Sequence, residues 1–164
     1  MTDILRSATL ETEFEKRRGV SRLEVRHGFA QVHVSQMTGD LMNARLYVLQ
    51  AVADGQVSLD FLKLSPSGMS FLVPQEKAAD VQKAIEGCNV HFTIRQPRSI
   101  LLVHAVNIRD EEGMIANIVQ TVIATGASVD HLGDMHDRML MVLNSDDIDR
   151  VADRIQATLM EGEA

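Results

Sequence analysis

One cysteine, three prolines, one tyrosine and no tryptophan occur in 164 residues, and aromatic side chains make up 4% of the chain. Cys88 alone allows no internal disulfide and no cysteine-based zinc centre, which suits a reducing compartment. So few aromatics weigh against an RNA-binding sheet, which stacks bases on exposed rings. Positive charge is also short: 16 Lys and Arg stand against 23 Asp and Glu, a net charge of −7. A phosphate backbone selects a clustered basic face, and the only basic run, Lys16-Arg17-Arg18, reads as a solvated helix end. No nucleic acid is expected as a partner. Apolar runs stay well short of the ~20 residues of a membrane span, and the opening Met1-Thr-Asp-Ile-Leu-Arg-Ser lacks the apolar stretch of a secretion signal. The expected setting is therefore the cytoplasm, with no membrane partner. No nucleophile motif, phosphate loop or metalloprotease motif occurs, so neither catalysis nor a cofactor is expected.

What is present is a repeat. Sliding residues 29–86 onto 99–156, with no gap, pairs Asp40 with Asp110, Gln50 with Gln120, Ser58 with Ser128, Asp60 with Asp130, Met69 with Met139 and Ile85 with Ile155. Apolar positions align around these identities, among them Val32 with Leu102, Val48 with Ile118 and Leu72 with Val142. Self-similarity at fixed spacing implies one structural unit used twice, and each copy is small enough to gain from packing on another body.

Within a copy the hydrophobic period changes in a fixed order. Ala30, Val32 and Val34 alternate with Gln31, His33 and Ser35, which predicts a half-buried strand. Leu41, Ala44, Val48, Leu49 and Val52 then form a helical stripe, closed by Gly55 in a left-handed conformation. Val57, Leu59 and Phe61 alternate as a strand, Ser65-Pro-Ser-Gly68 predicts a hairpin turn, and Met69–Val73 return. Pro74 opens a second helix on Ala78, Val81 and Ile85, ended by Gly87, and residues 89–95 alternate again. The second copy has strands at 100–106, 128–133 and 138–143. Its helices carry Ile115, Ile118, Val119, Val122 and Ile123 in the first and Ile148, Val151 and Ile155 in the second.

The order is βαββαβ, so the expected fold is α+β, two ferredoxin-like units in tandem with antiparallel sheets. The expected division is an N-terminal segment 1–20, helical or disordered, a first unit 21–97 and a second unit 98–164. The second copy is one strand short, since only Met160-Glu-Gly-Glu-Ala follows Leu159. An unpaired edge there is a liability. Residues 21–26 have strand character, and strand counting sends them across to fill the gap.

The turn from first strand to first helix carries the clearest chemistry. In the second copy it reads Val106-Asn107-Ile108-Arg109-Asp110-Glu111-Glu112-Gly113-Met114-Ile115. Gly113 lets a ligand approach the backbone, and amides at a helix N-terminus favour a carboxylate. Asp110 either caps the helix or holds an ammonium group. Together they could take both charged ends of an amino acid.

These residues carry a resemblance. The tandem βαββαβ order, Asp110-x-x-Gly113 and Gly126-Ala-Ser-Val-Asp130 look like the paired ACT domains in the regulatory region of aspartate kinases. So do Met69-Ser-Phe-Leu-Val-Pro-Gln-Glu-Lys-Ala-Ala-Asp80 and Arg18-Gly-Val-Ser-Arg22. The resemblance spans about residues 19 to 158. It implies an amino-acid-binding allosteric sensor without catalytic activity, in which the effector sits between the strand-to-helix loop of one domain and the second strand of its neighbour. The matching positions are Asn107, Asp110, Gly113, Met114 and Ile115 in the loop, with Ser128, Val129 and Asp130 on the strand. The first-copy equivalents are Met37, Thr38, Asp40, Ser58, Leu59 and Asp60. Asn43 stands where the second copy has Gly113, so the first loop ranks second. The implied partners are an amino acid effector (lysine, threonine or methionine), a second copy in a homodimer, and a separate biosynthetic enzyme if the chain acts as a free-standing sensor. The alternative is a ligand-free association module regulating such an enzyme.

His131-Leu-Gly-Asp134-Met-His136-Asp137 offers imidazole and carboxylate groups of the kind that hold a divalent cation. A polar turn accounts for it equally well, and no metal is assigned. His33, His91 and His104 fall on strands, where partly buried, hydrogen-bonded histidines are the ordinary case.

Overall fold

The structure is a computed structural model that describes residues 19–161. The expectations made of residues 1–18 lie outside it, while Val20 already belongs to the first strand.

Two long strands organise the chain. β1 runs Val20–Ser35 and β4 His91–Ala105, so each merges two stretches that the alternation pattern reads as separate strands. Between them lie α1 (Leu41–Asp54), β2 (Asp60–Ser65), β3 (Gly68–Pro74) and α2 (Ala78–Glu86). After β4 come α3 (Met114–Ile123), β5 (Val129–Asp134), β6 (Arg138–Asn144) and α4 (Ile148–Ile155), which ends in a π-helical turn, Gln156–Met160. The architecture is α+β with antiparallel pairing: β3 with β1, β2 with β3, and β5 with β6.

Two compact units result. The continuous unit, His27–Ser99, has strand order β2-β3-β1-β4 and follows βαββαβ in chain order. The split unit combines the described residues up to Arg26 with those from Ile100 onward, in strand order β1-β4-β6-β5. Its missing last strand is supplied by the first part of β1, where strand counting sends it. Ser21 Oγ donates to the carbonyl of His104 at 3.2 Å, and Val20, Leu23 and Val25 join the split unit's core.

Each unit buries its own core. In the continuous unit Val32, Val34, Met69, Phe71 and Val73 from the strands meet Val48, Val52, Val81 and Ile85 from the helices. The three-and-four spacing of the helical residues aims them at one sheet face. Burying a side chain of this size contributes about 1.5–3 kcal/mol. Gly68 is required by a close approach: a Cβ on it would lie 2.1 Å from the carbonyl oxygen of Val34 across the β1–β3 pair. Arg45 of α1 is buried and donates to the carbonyls of Ser65 and Gly68, clamping the β2–β3 turn. In the split unit Leu101, Val103, Met139 and Met141 meet Ile118, Val122, Val151 and Ile155.

Three local readings change. Gly55 has φ −74°, and Gln56, at φ 56°, takes the left-handed conformation after α1. β2 begins at Asp60 instead of Val57 and is irregular from the outset, with Phe61 at φ 50° beside a register shift between Asp60 and Lys63. The buried stripe of α3 is Met114, Ile118, Thr121 and Val122, leaving Ile123 63% exposed.

Candidate functional site

The two strand-to-helix turns enter their helices differently. After β1, Asp40 caps α1: its Oδ1 accepts from the backbone amides of Met42 at 2.9 Å and Asn43 at 3.3 Å, and its Oδ2 from the side-chain amide of Asn43 at 3.2 Å. A carboxylate so engaged satisfies donors that the helix cannot satisfy itself. Met37 is half-buried against the core, and Thr38 is exposed.

After β4 the chain makes an irregular turn instead. The repeat places the counterpart of Leu41 at Glu111, yet α3 begins only at Met114. The missing helical turn is replaced by a loop in which Asn107, at φ 55°, accepts from the amides of Asp110 at 2.9 Å and Glu111 at 3.1 Å. Gly113 then serves as the N-cap at φ 78°, and no side chain caps α3. Its missing Cβ would meet nothing within 4 Å. Asp110 is therefore not the helix cap, and the first-turn amides of α3 lack the carboxylate that closes α1. Met114 is buried and Ile115 half-buried.

Two residues that sequence reasoning did not single out hold this loop. Ile108 is completely buried in the split unit's core, an anchor whose signal was an apolar residue inside a charged turn. Arg109 donates through Nε to Asp134 Oδ2 at 2.9 Å and through Nη2 to the Asp134 carbonyl at 3.4 Å, tying the loop to the end of β5. No spacing rule links residues so far apart in sequence.

The second-strand positions lie elsewhere. Ser128 is exposed just before β5, Val129 packs half-buried on the core, and Asp130 sits at the register shift between Val129 and His131. In the continuous unit Ser58 and Asp60 are exposed and Leu59 is half-buried, beside the matching irregularity at Phe61. Such bulges re-aim side chains at strand ends. Within one unit, however, the loop and the strand start lie at opposite ends of a helix. The ten residues of α3 separate them by about 15 Å, and the fourteen of α1 by about 21 Å. No unit brings its own two halves together.

Among the described residues, no group of three or more His, Cys, Asp or Glu side chains could hold a metal ion. Of the residues in the β5–β6 turn, Asp134 pairs with Arg109 and Asp137 with Arg138, whose hydrogen bond holds the Asp137 carboxyl below the usual range. Burial pushes the Cys88 thiol up, away from the reactive thiolate form. No helix among the described residues is long and apolar enough to cross a membrane.

No protein-family model and no curated relative matches the sequence. Solved structures do match the fold. The regulatory subunit of aspartate kinase from Thermus flavus superposes with a TM-score of 0.76 at 16% identity, over 85% of this chain and 98% of that one. The ligand-free regulatory subunit from Thermus thermophilus gives 0.71 at 17% identity, with 85% and 98% covered. Aspartokinase III of E. coli, in complex with lysine and aspartate, gives 0.68 at 9% identity over 88% of this chain and 34% of the longer protein. The chain thus has the tandem ACT fold of aspartate kinase regulatory subunits, and it spans the two Thermus subunits almost end to end.

Proposed function

We propose that the chain is a non-catalytic regulatory module of the cytoplasm that binds an amino acid at the 107–115 loop of its split unit. The observation that carries this reading is the entry to α3. Its N-terminus carries no side-chain cap, a left-handed glycine leaves the backbone accessible, and the aspartate three residues earlier is not used as a cap. Helix N-terminal amides favour a carboxylate, and Asp110 complements an ammonium group. Asn107, Gly113, Met114 and Ile115 form this half of the site, and Ser128, Val129 and Asp130 are proposed for the other. Since α3 keeps the halves of one unit apart, the complete site is proposed to include a second body, so that ligand binding and association are coupled. Met37, Thr38, Asp40, Ser58 and Asp60 form the secondary candidate, weakened by the use of Asp40 as a cap.

Association has its own support. Met42, Leu46 and Tyr47 of α1 are 53%, 56% and 61% exposed, and β2, with Leu62 and Leu64 also exposed, ends its unit's strand order. An exposed apolar helix face and a strand at the end of the sheet order each favour a homodimer. The same face supports the second reading, an association module without ligand that regulates a separate biosynthetic enzyme.

A thermal-shift and calorimetric screen of the twenty amino acids separates the two readings. Lysine, threonine and methionine lead, and lysine is one of the ligands in the E. coli complex. A ligand at 100 times its dissociation constant is expected to add about 2.7 kcal/mol, whereas a flat response to all twenty would leave the association reading.

A further inference from the structure

In the split unit, one histidine nitrogen has two partners of opposite kind. Side chains alternate along a strand, so Arg22, Glu24 and Arg26 share the β1 face opposite Leu23 and Val25. Toward them points His104 of β4, a buried residue. Its Nε2 lies 3.2 Å from Nη2 of Arg22 and 3.4 Å from Oε2 of Glu24.

A single ring nitrogen cannot serve both partners in one protonation state. Without a proton, Nε2 accepts a hydrogen bond from the Arg22 guanidinium and has nothing to give Glu24. With a proton, it donates to the Glu24 carboxylate and sets its positive charge against Arg22. We propose that protonation of His104 switches the start of β1 between two hydrogen-bonding states: neutral His104 bound by Arg22, and charged His104 bound by Glu24 with Arg22 released to solvent.

The surroundings fit this exchange. The Arg22 side chain is 65% exposed and its Nη2 lies 3.8 Å from Glu24 Oε2, a loose pair that solvent can replace, while Glu24 is fixed by Arg26 Nε at 2.8 Å. That hydrogen bond holds the Glu24 carboxyl below the usual range, with His104 a lesser contributor, so the acceptor stays ionised while an imidazole titrates. The other charges nearby are at the start of β6. Asp137 favours the charged imidazole, and Arg138, bonded to Asp137 at 2.9 and 3.0 Å, opposes it. The backbone is anchored on both sides, by Ser21 Oγ on the His104 carbonyl at 3.2 Å and by the Ala105 amide on the Asp137 carbonyl at 3.0 Å. The partners therefore change without the strands moving. The device responds to a proton and needs no amino acid, and it acts on the strand segment that completes the split unit.

The test is a histidine side-chain NMR titration of the full chain between about pH 5 and 8, on wild type, Arg22→Met and Glu24→Gln. Both substituted residues carry exposed or half-exposed side chains, and the same spectra report whether the fold is kept. Neutral His104 is expected with its proton on Nδ1. Removing Arg22 takes away the partner of the neutral form and a repelling charge, so the titration midpoint moves up. Removing Glu24 takes away the partner of the charged form, so it moves down, each by about half a unit or more. A neutral ring protonated on Nε2, midpoints that move in the same direction, or no movement in either variant would overturn the proposal.

Discussion

The same repeated unit enters its first helix in two ways. Before α1 the chain closes the helix with its own carboxylate, Asp40. Before α3 the first helical turn is missing, a left-handed glycine takes the cap position, and Asp110 is not spent on the helix. β3 and β6 keep the 70-residue spacing, and so do the starts of α2 and α4. Against that spacing, α3 starts three residues late. A helix terminus satisfied from within has little to offer a ligand, whereas one left uncapped retains amide donors that an external carboxylate can take. Divergence between otherwise equivalent turns is the mark by which the candidate site is recognised.

That comparison can be broken most forcefully at the anchor. Ile108→Ala removes a fully buried side chain and is expected to cost about 2–5 kcal/mol in chemical denaturation. Its repeat counterpart Thr38 is exposed, and Thr38→Ala should stay within about 0.5 kcal/mol. Equal costs would mean that the two turns are held alike. Next comes Gly113→Val, which forces a β-branched residue to φ 78°. It should cost about 1–2 kcal/mol and abolish any amino-acid-induced thermal shift. A variant that still responds fully would remove the glycine from the argument.

The aspartates give a subtler contrast. Asp40→Ala should lose about 1 kcal/mol of stability with the loss of a cap. Asp110→Ala should change stability by less than about 0.5 kcal/mol while eliminating ligand response. A small, salt-sensitive effect is expected at the Arg109–Asp134 pair, whose side chains are 55% and 43% exposed. Arg109→Ala should cost no more than about 1 kcal/mol, and less at high salt. A salt-independent loss would point to packing by the guanidinium instead.

Much of the fold is legible in the residues because periodicity reports burial directly. Val32, Val34, Val48, Val52, Val81 and Ile85 were readable as core-facing from spacing alone, and all are buried. Strand counting placed residues 21–26 because a βαββαβ unit needs a fourth strand. Less legible were features decided by tertiary context. The alternation pattern cannot show that residues 21–26 and 29–35 are one strand, since Gly28 at φ 87° interrupts the alternation while the chain continues in β1. Nor can it show the late start of α3. Asp110 and Gly113 are visible in the sequence, but whether Asp110 caps the helix depends on where that helix begins. The Arg109–Asp134 tie and the bulges at Phe61 and Asp130 are pairing events with no local signature.

The most direct test sets Asp40→Ala and Asp110→Ala beside the wild type in one calorimetric and thermal-shift experiment with each amino acid. The expected result is a double dissociation: Asp40→Ala melts lower yet keeps its ligand shift, whereas Asp110→Ala melts with the wild type and loses it. The account is contradicted if the effects are exchanged between the two variants, or if no amino acid shifts the wild type at all.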